Sequence, residues 1–313
     1  MYLAVPDVNV APRSSRTKVG HFVDDFGAKD AAGLAHYLNA YRAAIAQLPP
    51  FDARTDVATS FGTVRVYRID GPTGETPVML LPVRCASTPM WRPNLPGLLQ
   101  HRTVSCVDLL GEAGLSVQDK AIADADDQAQ WLDETLVGLG LARAHVLGVS
   151  IGGWAAVNYA ARKPGRVASL ALLDPVQTFA RIPIRTLLWS GATMSPGVPE
   201  LLRRRFLRRI SGGADVDDSA PEVRLSSAAM VDFALRLPPP KLITDDQLRS
   251  LSIPVLTLLA GRSVMLNATR AAARARKCLP RGQVEVWEDA THAISGEFPE
   301  RITERAQRFW AEV

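Results

Sequence analysis

The apolar positions of this chain change period along its length, and the changes divide it. From Ala31 to Leu48, Leu34, Leu38, Tyr41, Ile45 and Leu48 recur at steps of three and four, which predicts an amphipathic helix stopped by Pro49-Pro50. Before it, residues 1–20 mix Pro, Ser, Arg and Asn without a period and predict a loosely ordered lead-in. From about Asp56 the pattern becomes strand-like. Val57–Phe61 and Thr63–Ile69 predict a hairpin joined at Gly62. Short apolar runs follow at Pro77–Leu81, Arg102–Val107, Ala144–Val149, Val167–Leu173, Pro254–Ala260 and Gln283–Trp287, each the signature of a strand covered on both faces. Helical patterns separate them at Pro89–Gln100, Asp124–Leu139, Ile151–Arg162, Ala268–Leu279 and Pro299–Trp310.

A hairpin followed by alternating strands and helices predicts an α/β fold, a mostly parallel eight-stranded sheet flanked by helices. Residues 178–250 break the alternation with helical patterns and proline clusters. They predict an inserted helical cap over the edge where open α/β sheets bind ligands. The expected organisation is an N-terminal extension over 1–55, a core made of 56–177 and 251–313, and the cap over 178–250.

Composition adds exclusions. The 313 residues, 47% of them hydrophobic, suit one large globular unit. A net charge of +4, from 36 basic and 32 acidic residues, is too small to predict a nucleic-acid or membrane partner. The arginine-rich stretch Leu201–Ile210 does not alter this, since Leu202, Phe206 and Ile210 recur every four residues and leave the arginines as a solvated helix face. Cys85, Cys106 and Cys278 are far apart and odd in number, which argues against a disulfide framework or a metal site and for a reducing compartment. With no secretory pattern and no apolar run of membrane length, the expected location is the cytoplasm.

The candidate chemistry lies at Gly148-Val149-Ser150-Ile151-Gly152, where the fifth predicted strand runs into a helix. A nucleophile on such a turn needs a strained backbone and small flanking residues, and the helix N-terminus supplies N–H groups to a developing oxyanion. Ser150 is therefore the candidate nucleophile and the Ile151 N–H the first oxyanion donor. An alkyl hydroxyl attacks only when an imidazole takes its proton. Of five histidines, His292 alone lies in a loop between the last strand and the last helix, on the edge that carries Ser150, and is the candidate base. His21 and His36 lie in the N-terminal segment, and His101 and His145 at strand starts, where a surface or edge histidine is the ordinary reading.

The third group is less plainly marked. The loop after Pro254–Ala260, Gly261-Arg262-Ser263-Val264-Met265-Leu266-Asn267, contains no carboxylate. Asp174, closing the strand Val167–Leu173, is the candidate acid. An aspartate capping the turn before Pro175 is the alternative, and Asp289 and Glu288 are weaker candidates because they precede the histidine too closely.

The elbow Gly148–Gly153, the Met90-Trp91-Arg92-Pro93-Asn94 segment, Asp108-Leu109-Leu110-Gly111-Glu112-Ala113-Gly114-Leu115-Ser116, Leu172-Leu173-Asp174-Pro175 and the His292 loop together resemble the α/β-hydrolase superfamily, in particular its bacterial carboxylesterase-like members. The resemblance covers roughly Ala31 to the C-terminus. It implies the α/β-hydrolase fold, Ser150 as nucleophile, His292 as base and no cofactor, and a structural role for Asp108 and Ser116. Where relatives carry a glycine-rich oxyanion loop, this chain has Leu81-Pro82-Val83-Arg84-Cys85-Ala86-Ser87. The backbone N–H of Arg84 is the candidate second donor, and its side chain either meets an anionic substrate group or points to solvent. Trp189, Met194, Met230 and Phe233 are candidates to line a pocket for a moderately large apolar substrate, with packing inside the cap as the competing reading. The expected activity is cleavage of a small-molecule ester or thioester through an acyl-enzyme. Acyl transfer, lactone chemistry, cyclisation and a catalytically silent ligand-binding protein remain open alternatives.

Overall fold

The computed structural model describes residues 19–23, 30–193, 198–210 and 219–313. All but the end of the expected lead-in, and Met194 among the candidate residues, lie outside them. The central sheet is built from β1 (Ala53–Thr59), β2 (Gly62–Ile69), β3 (Val78–Leu81), β4 (Val104–Val107), β5 (Ala144–Val149), β6 (Val167–Leu173), β7 (Val255–Ala260) and β8 (Gly282–Trp287). Its order is β8-β7-β6-β5-β3-β4-β2-β1, with a two-residue strand, Val117–Gln118, added against β2. The pairs among β3 to β8 are parallel, while β1–β2 and β2–β4 are antiparallel.

Period-two alternation explains why apolar runs form these strands. In β3, Val78 and Leu80 enter the core on one face, and Met79 and Leu81 the core on the other. In β5, Val146 faces one layer and Leu147 and Val149 the opposite layer. One layer is completed by α3 (Ala125–Gly138), α4 (Ile151–Arg162) and α9 (Ala268–Cys278). The other is completed by α1 (Ala31–Ile45), α2 (Leu95–Leu99) and α10 (Pro299–Ala311). Asp124 caps α3 by accepting the Asp126 and Asp127 N–H groups at 2.9 and 3.0 Å, satisfying donors that a helix start leaves open.

Two local expectations differ from the structure. The hairpin turns at Ser60-Phe61, and Gly62 already pairs with Thr59. The single helix expected over Pro89–Gln100 is two pieces, a 3-10 turn at Thr88–Trp91 and α2. Pro93 and Pro96 remove amide donors and disfavour helical backbone before them, so one continuous helix cannot form.

Between β6 and β7 come α5 (Ile184–Thr193), α6 (Glu200–Ile210), α7 (Pro221–Asp232) and the short α8 (Asp245–Arg249). The N-terminal segment joins this insertion. Helix α1 packs on α7, and His21–Phe22 forms an antiparallel ribbon with Phe233–Ala234. Among the described residues, no helix is long and apolar enough to cross a membrane.

Candidate active site

The turn after β5 places Ser150 at φ 55° and ψ −115°, a strained conformation for a residue with a side chain. Its N–H donates to the Leu173 carbonyl at 3.0 Å, and its own carbonyl accepts the Trp154 N–H at 3.1 Å, opening α4. The neighbouring backbone explains the glycines. A Cβ on Gly152 would stand 2.2 Å from the Leu81 carbonyl oxygen, and one on Gly148 2.4 Å from that of Gly152. The strand, turn and helix can therefore close on one another only with small residues at these positions.

Ser150, His292 and Asp174, 142 and 118 residues apart in sequence, meet at the carboxyl ends of the strands. His292 Nε2 lies 2.9 Å from Ser150 Oγ, and His292 Nδ1 lies 2.6 Å from Asp174 Oδ2. Asp174 is fully buried and itself sits at φ 42°. Its Oδ1 accepts the Ala260 N–H at 3.1 Å, and its Oδ2 accepts the Ser263 hydroxyl at 2.6 Å as well as the imidazole. A carboxylate so held favours the tautomer with the proton on Nδ1, leaving Nε2 free to accept from the serine hydroxyl. The loop Gly261–Asn267, which has no carboxylate of its own, thus contributes the hydroxyl that holds one. Asp289 points elsewhere and pairs with Arg301 at 3.2 Å.

The other buried histidine differs from the expectation of a surface or edge position. His145, at the start of β5, is buried, with Nδ1 2.7 Å from Ser169 Oγ and its ring stacked on Trp310. Burial, with Arg102 and Arg143 adding to it, drives its pKa down to about 3, so it is neutral at pH 7.

Ile151 opens α4 beside the serine. Across from it, Arg84 occupies the central part of a turn closed by the Ala86 N–H on the Val83 carbonyl at 3.3 Å. The Arg84 side chain does not simply point to solvent, because its Nε donates to the buried carboxylate of Glu112 at 3.1 Å. Cys85 is buried at φ 57°, and burial, then the nearby Glu112, pushes its thiol up to about 12, so it is no rival nucleophile. At the end of β4, Asp108 is fully buried. It accepts the Thr88 N–H and hydroxyl at 2.9 and 2.8 Å, the Tyr41 hydroxyl at 2.9 Å and the Leu115 N–H at 2.9 Å. Ser116 bridges Asp108 to β2, donating to the Asp108 carbonyl at 2.5 Å and accepting the Arg65 N–H at 2.9 Å.

The recess beside Ile151 is narrow, about 20 Å³, and walled by Leu109, Leu110, Trp131, Trp154 and Leu237 with Arg84 at its side. The three expected pocket residues among those described do not line it. Trp189 is 45% exposed on α5, Met230 packs into the core layer that holds Tyr37, and Phe233 sits edge-on against Phe22. The apolar character of Met230 and Phe233 is taken up by packing against the N-terminal segment. A second cavity, about 780 Å³, opens between α1 and α7 and shares no lining residue with the recess. Among the described residues, no group of three His, Cys, Asp or Glu side chains is placed to hold a metal.

Comparison with known proteins agrees with this architecture. The family model "Alpha/beta hydrolase family" matches residues 78–305. An uncharacterized carboxylesterase, nap, of Bacillus subtilis (strain 168) is 30% identical over 263 residues, 81% of this chain and 85% of that protein. The carboxylesterase YbfK of the same organism is 28% identical over 286 residues, 89% of this chain and 94% of the relative. The crystal structure of naproxen esterase (carboxylesterase NP) from Bacillus subtilis is similar at a TM-score of 0.82 and 26% identity, covering 90% of this chain and 99% of that one. With the sheet order, the strained serine turn and a family match over most of its length, the chain belongs to the alpha/beta hydrolase family.

Proposed function

We propose that this protein is a serine carboxylesterase, cleaving a carboxylic ester or thioester through an acyl-enzyme. The observation that carries the reading is the continuous hydrogen-bonded chain from Ser150 Oγ through His292 to Asp174, at 2.9 and 2.6 Å. The carboxylesterase names of two Bacillus relatives support the substrate class.

In this reading Ser150 Oγ attacks the ester carbonyl carbon while its proton passes to His292 Nε2. Asp174 holds the ring and stabilises the imidazolium through Nδ1–H. The N–H groups of Ile151 and Arg84 receive the tetrahedral oxyanion. The bond to the leaving oxygen or sulfur breaks as His292 returns the proton to it. Water then attacks the acyl-serine, giving its proton to His292, and collapse of the second tetrahedral species releases the acid and restores the serine hydroxyl. The apolar walls Leu109, Leu110, Trp154 and Leu237 favour an apolar acyl or alcohol group. Because the recess is small, the bulk of a larger substrate lies outside it, under residues 178–250 acting as a cap.

A fluorophosphonate probe and a p-nitrophenyl ester test the proposal together. The wild type labels and turns the ester over, while Ser150→Ala does neither. Turnover retained in Ser150→Ala would overturn the assignment, and a wild type inert to both reagents would favour a ligand-binding role.

A further inference from the structure

The oxyanion loop of this chain reaches its shape without glycine. Val83–Ala86 is a four-residue turn, closed by the Ala86 N–H on the Val83 carbonyl, with Arg84 and Cys85 as its central residues. Cys85, the third residue, has φ 57°. A positive φ at that position is the mark of a type II turn, which favours glycine there, whereas a residue with a side chain prefers type I. The two turns differ by a flip of the central peptide. In one orientation the Cys85 N–H faces a given side of the loop, and in the other the Arg84 carbonyl does.

Glu112 lies on that side. It is 3% exposed, its Oε2 stands 3.5 Å from the Cys85 nitrogen, and its Oε1 accepts the Arg84 Nε–H at 3.1 Å. The flipped peptide would set a carbonyl oxygen against this buried carboxylate, which is repulsive and leaves the carboxylate short of a donor. One carboxylate therefore selects the turn and also anchors the side chain of the residue whose N–H faces the substrate.

Resting on the esterase reading above, we infer that Glu112 is a positioning residue for the oxyanion hole. Its pairing with Arg84 and the Cys85 N–H holds the loop in the conformation that glycine secures in a glycine-rich loop. Glu112 touches no reacting atom and acts through the Arg84 backbone.

The test is a cycle of Glu112→Gln with Cys85→Gly, assayed on a p-nitrophenyl ester and with a boronic acid as tetrahedral mimic. Glycine takes a positive φ without strain, so it removes the need for the carboxylate. In the otherwise wild-type enzyme, Glu112→Gln lowers kcat at least about ten-fold with KM within about two-fold, and boronic acid affinity falls in parallel. In the Cys85→Gly background, the same substitution costs less than about three-fold. Should Glu112→Gln fail to fold, the double variant Arg84→Met/Glu112→Gln removes the buried charge imbalance and shows the same kcat loss. An equal loss in both backgrounds, or a kcat within two-fold of wild type, overturns the inference. A wild type inert to every ester sinks the esterase reading as well. A wild type that is active while Glu112→Gln is unchanged sinks this inference alone.

Discussion

The two edges of the sheet carry similar residues in different surroundings. At the amino edge, His145 is buried with Ser169 and Trp310 around it, its bonded nitrogen meeting a hydroxyl and, among the described residues, no carboxylate, and it is held neutral. At the carboxyl edge, His292 is buried to much the same degree but joins a carboxylate on one side to a hydroxyl on the other. The backbone differs in the same sense. Cys85, Ser150, Asp174 and Gln177, the positive-φ residues other than glycine among those described, all follow the carboxyl ends of β3, β5 and β6. Strain and a charged partner are thus concentrated on one edge, while the other is relaxed and packed. Burial alone makes a histidine inert, and a buried partner of opposite charge makes it usable.

The comparison is broken most severely by Asp174→Asn. With the carboxylate gone, the imidazole loses its orientation and the tautomer that faces Ser150. A kcat lower by about 10³- to 10⁴-fold is expected, with the thermal midpoint little changed. Turnover within a few-fold of wild type would remove Asp174 from the site. Asp108→Asn sharpens the contrast from the same edge. Asp108 is as buried as Asp174 but meets only structural donors, so its loss is expected in stability, about 3 kcal/mol by urea unfolding, more than in the kcat of the folded enzyme. A larger loss of kcat than of stability would give it a role in the reaction. Ser263→Ala leaves Asp174 its bonds to the Ala260 N–H and to His292. Activity is expected to fall about three- to ten-fold, between the two aspartates in kind, and steady-state kinetics on a p-nitrophenyl ester decides it.

The smallest effect is on the amino edge. A histidine whose folded pKa is about 3 binds a proton more readily when unfolded, where its pKa is about 6.5. The unfolded state therefore gains protons as pH falls from about 6.5 towards 3, and stability declines over that window. His145→Gln is expected to flatten this decline in urea midpoints measured from pH 7 to 4, with kcat within about two-fold of wild type. An unchanged slope would mean that His145 contributes nothing to the acid sensitivity.

The sheet and the elbow were legible because local pattern determines them. Unbroken apolar runs such as Val78–Leu81 must be covered on both faces, and small residues around Ser150 mark a close backbone approach. What escaped was set by long-range partners. Nothing near Asp174 in sequence announces that Ser263 and Ala260 will hold it, because the donors lie 89 and 86 residues away. The burial of His145 depends on Trp310, and the fate of Phe233 depends on Phe22. Arg84 shows the same limit, since its alternatives were solvent or an anionic substrate, and its partner proved to be Glu112. The helix split at Pro93 and Pro96 was legible in principle, from proline spacing that the apolar period outweighed.

Intact-protein mass spectrometry during turnover of a p-nitrophenyl ester tests the central claim most directly. The account predicts a transient adduct of the acyl mass, mapped to the peptide carrying Ser150 and absent from Ser150→Ala. Steady release of p-nitrophenol by Ser150→Ala, or an acyl adduct on any residue other than Ser150, would contradict it.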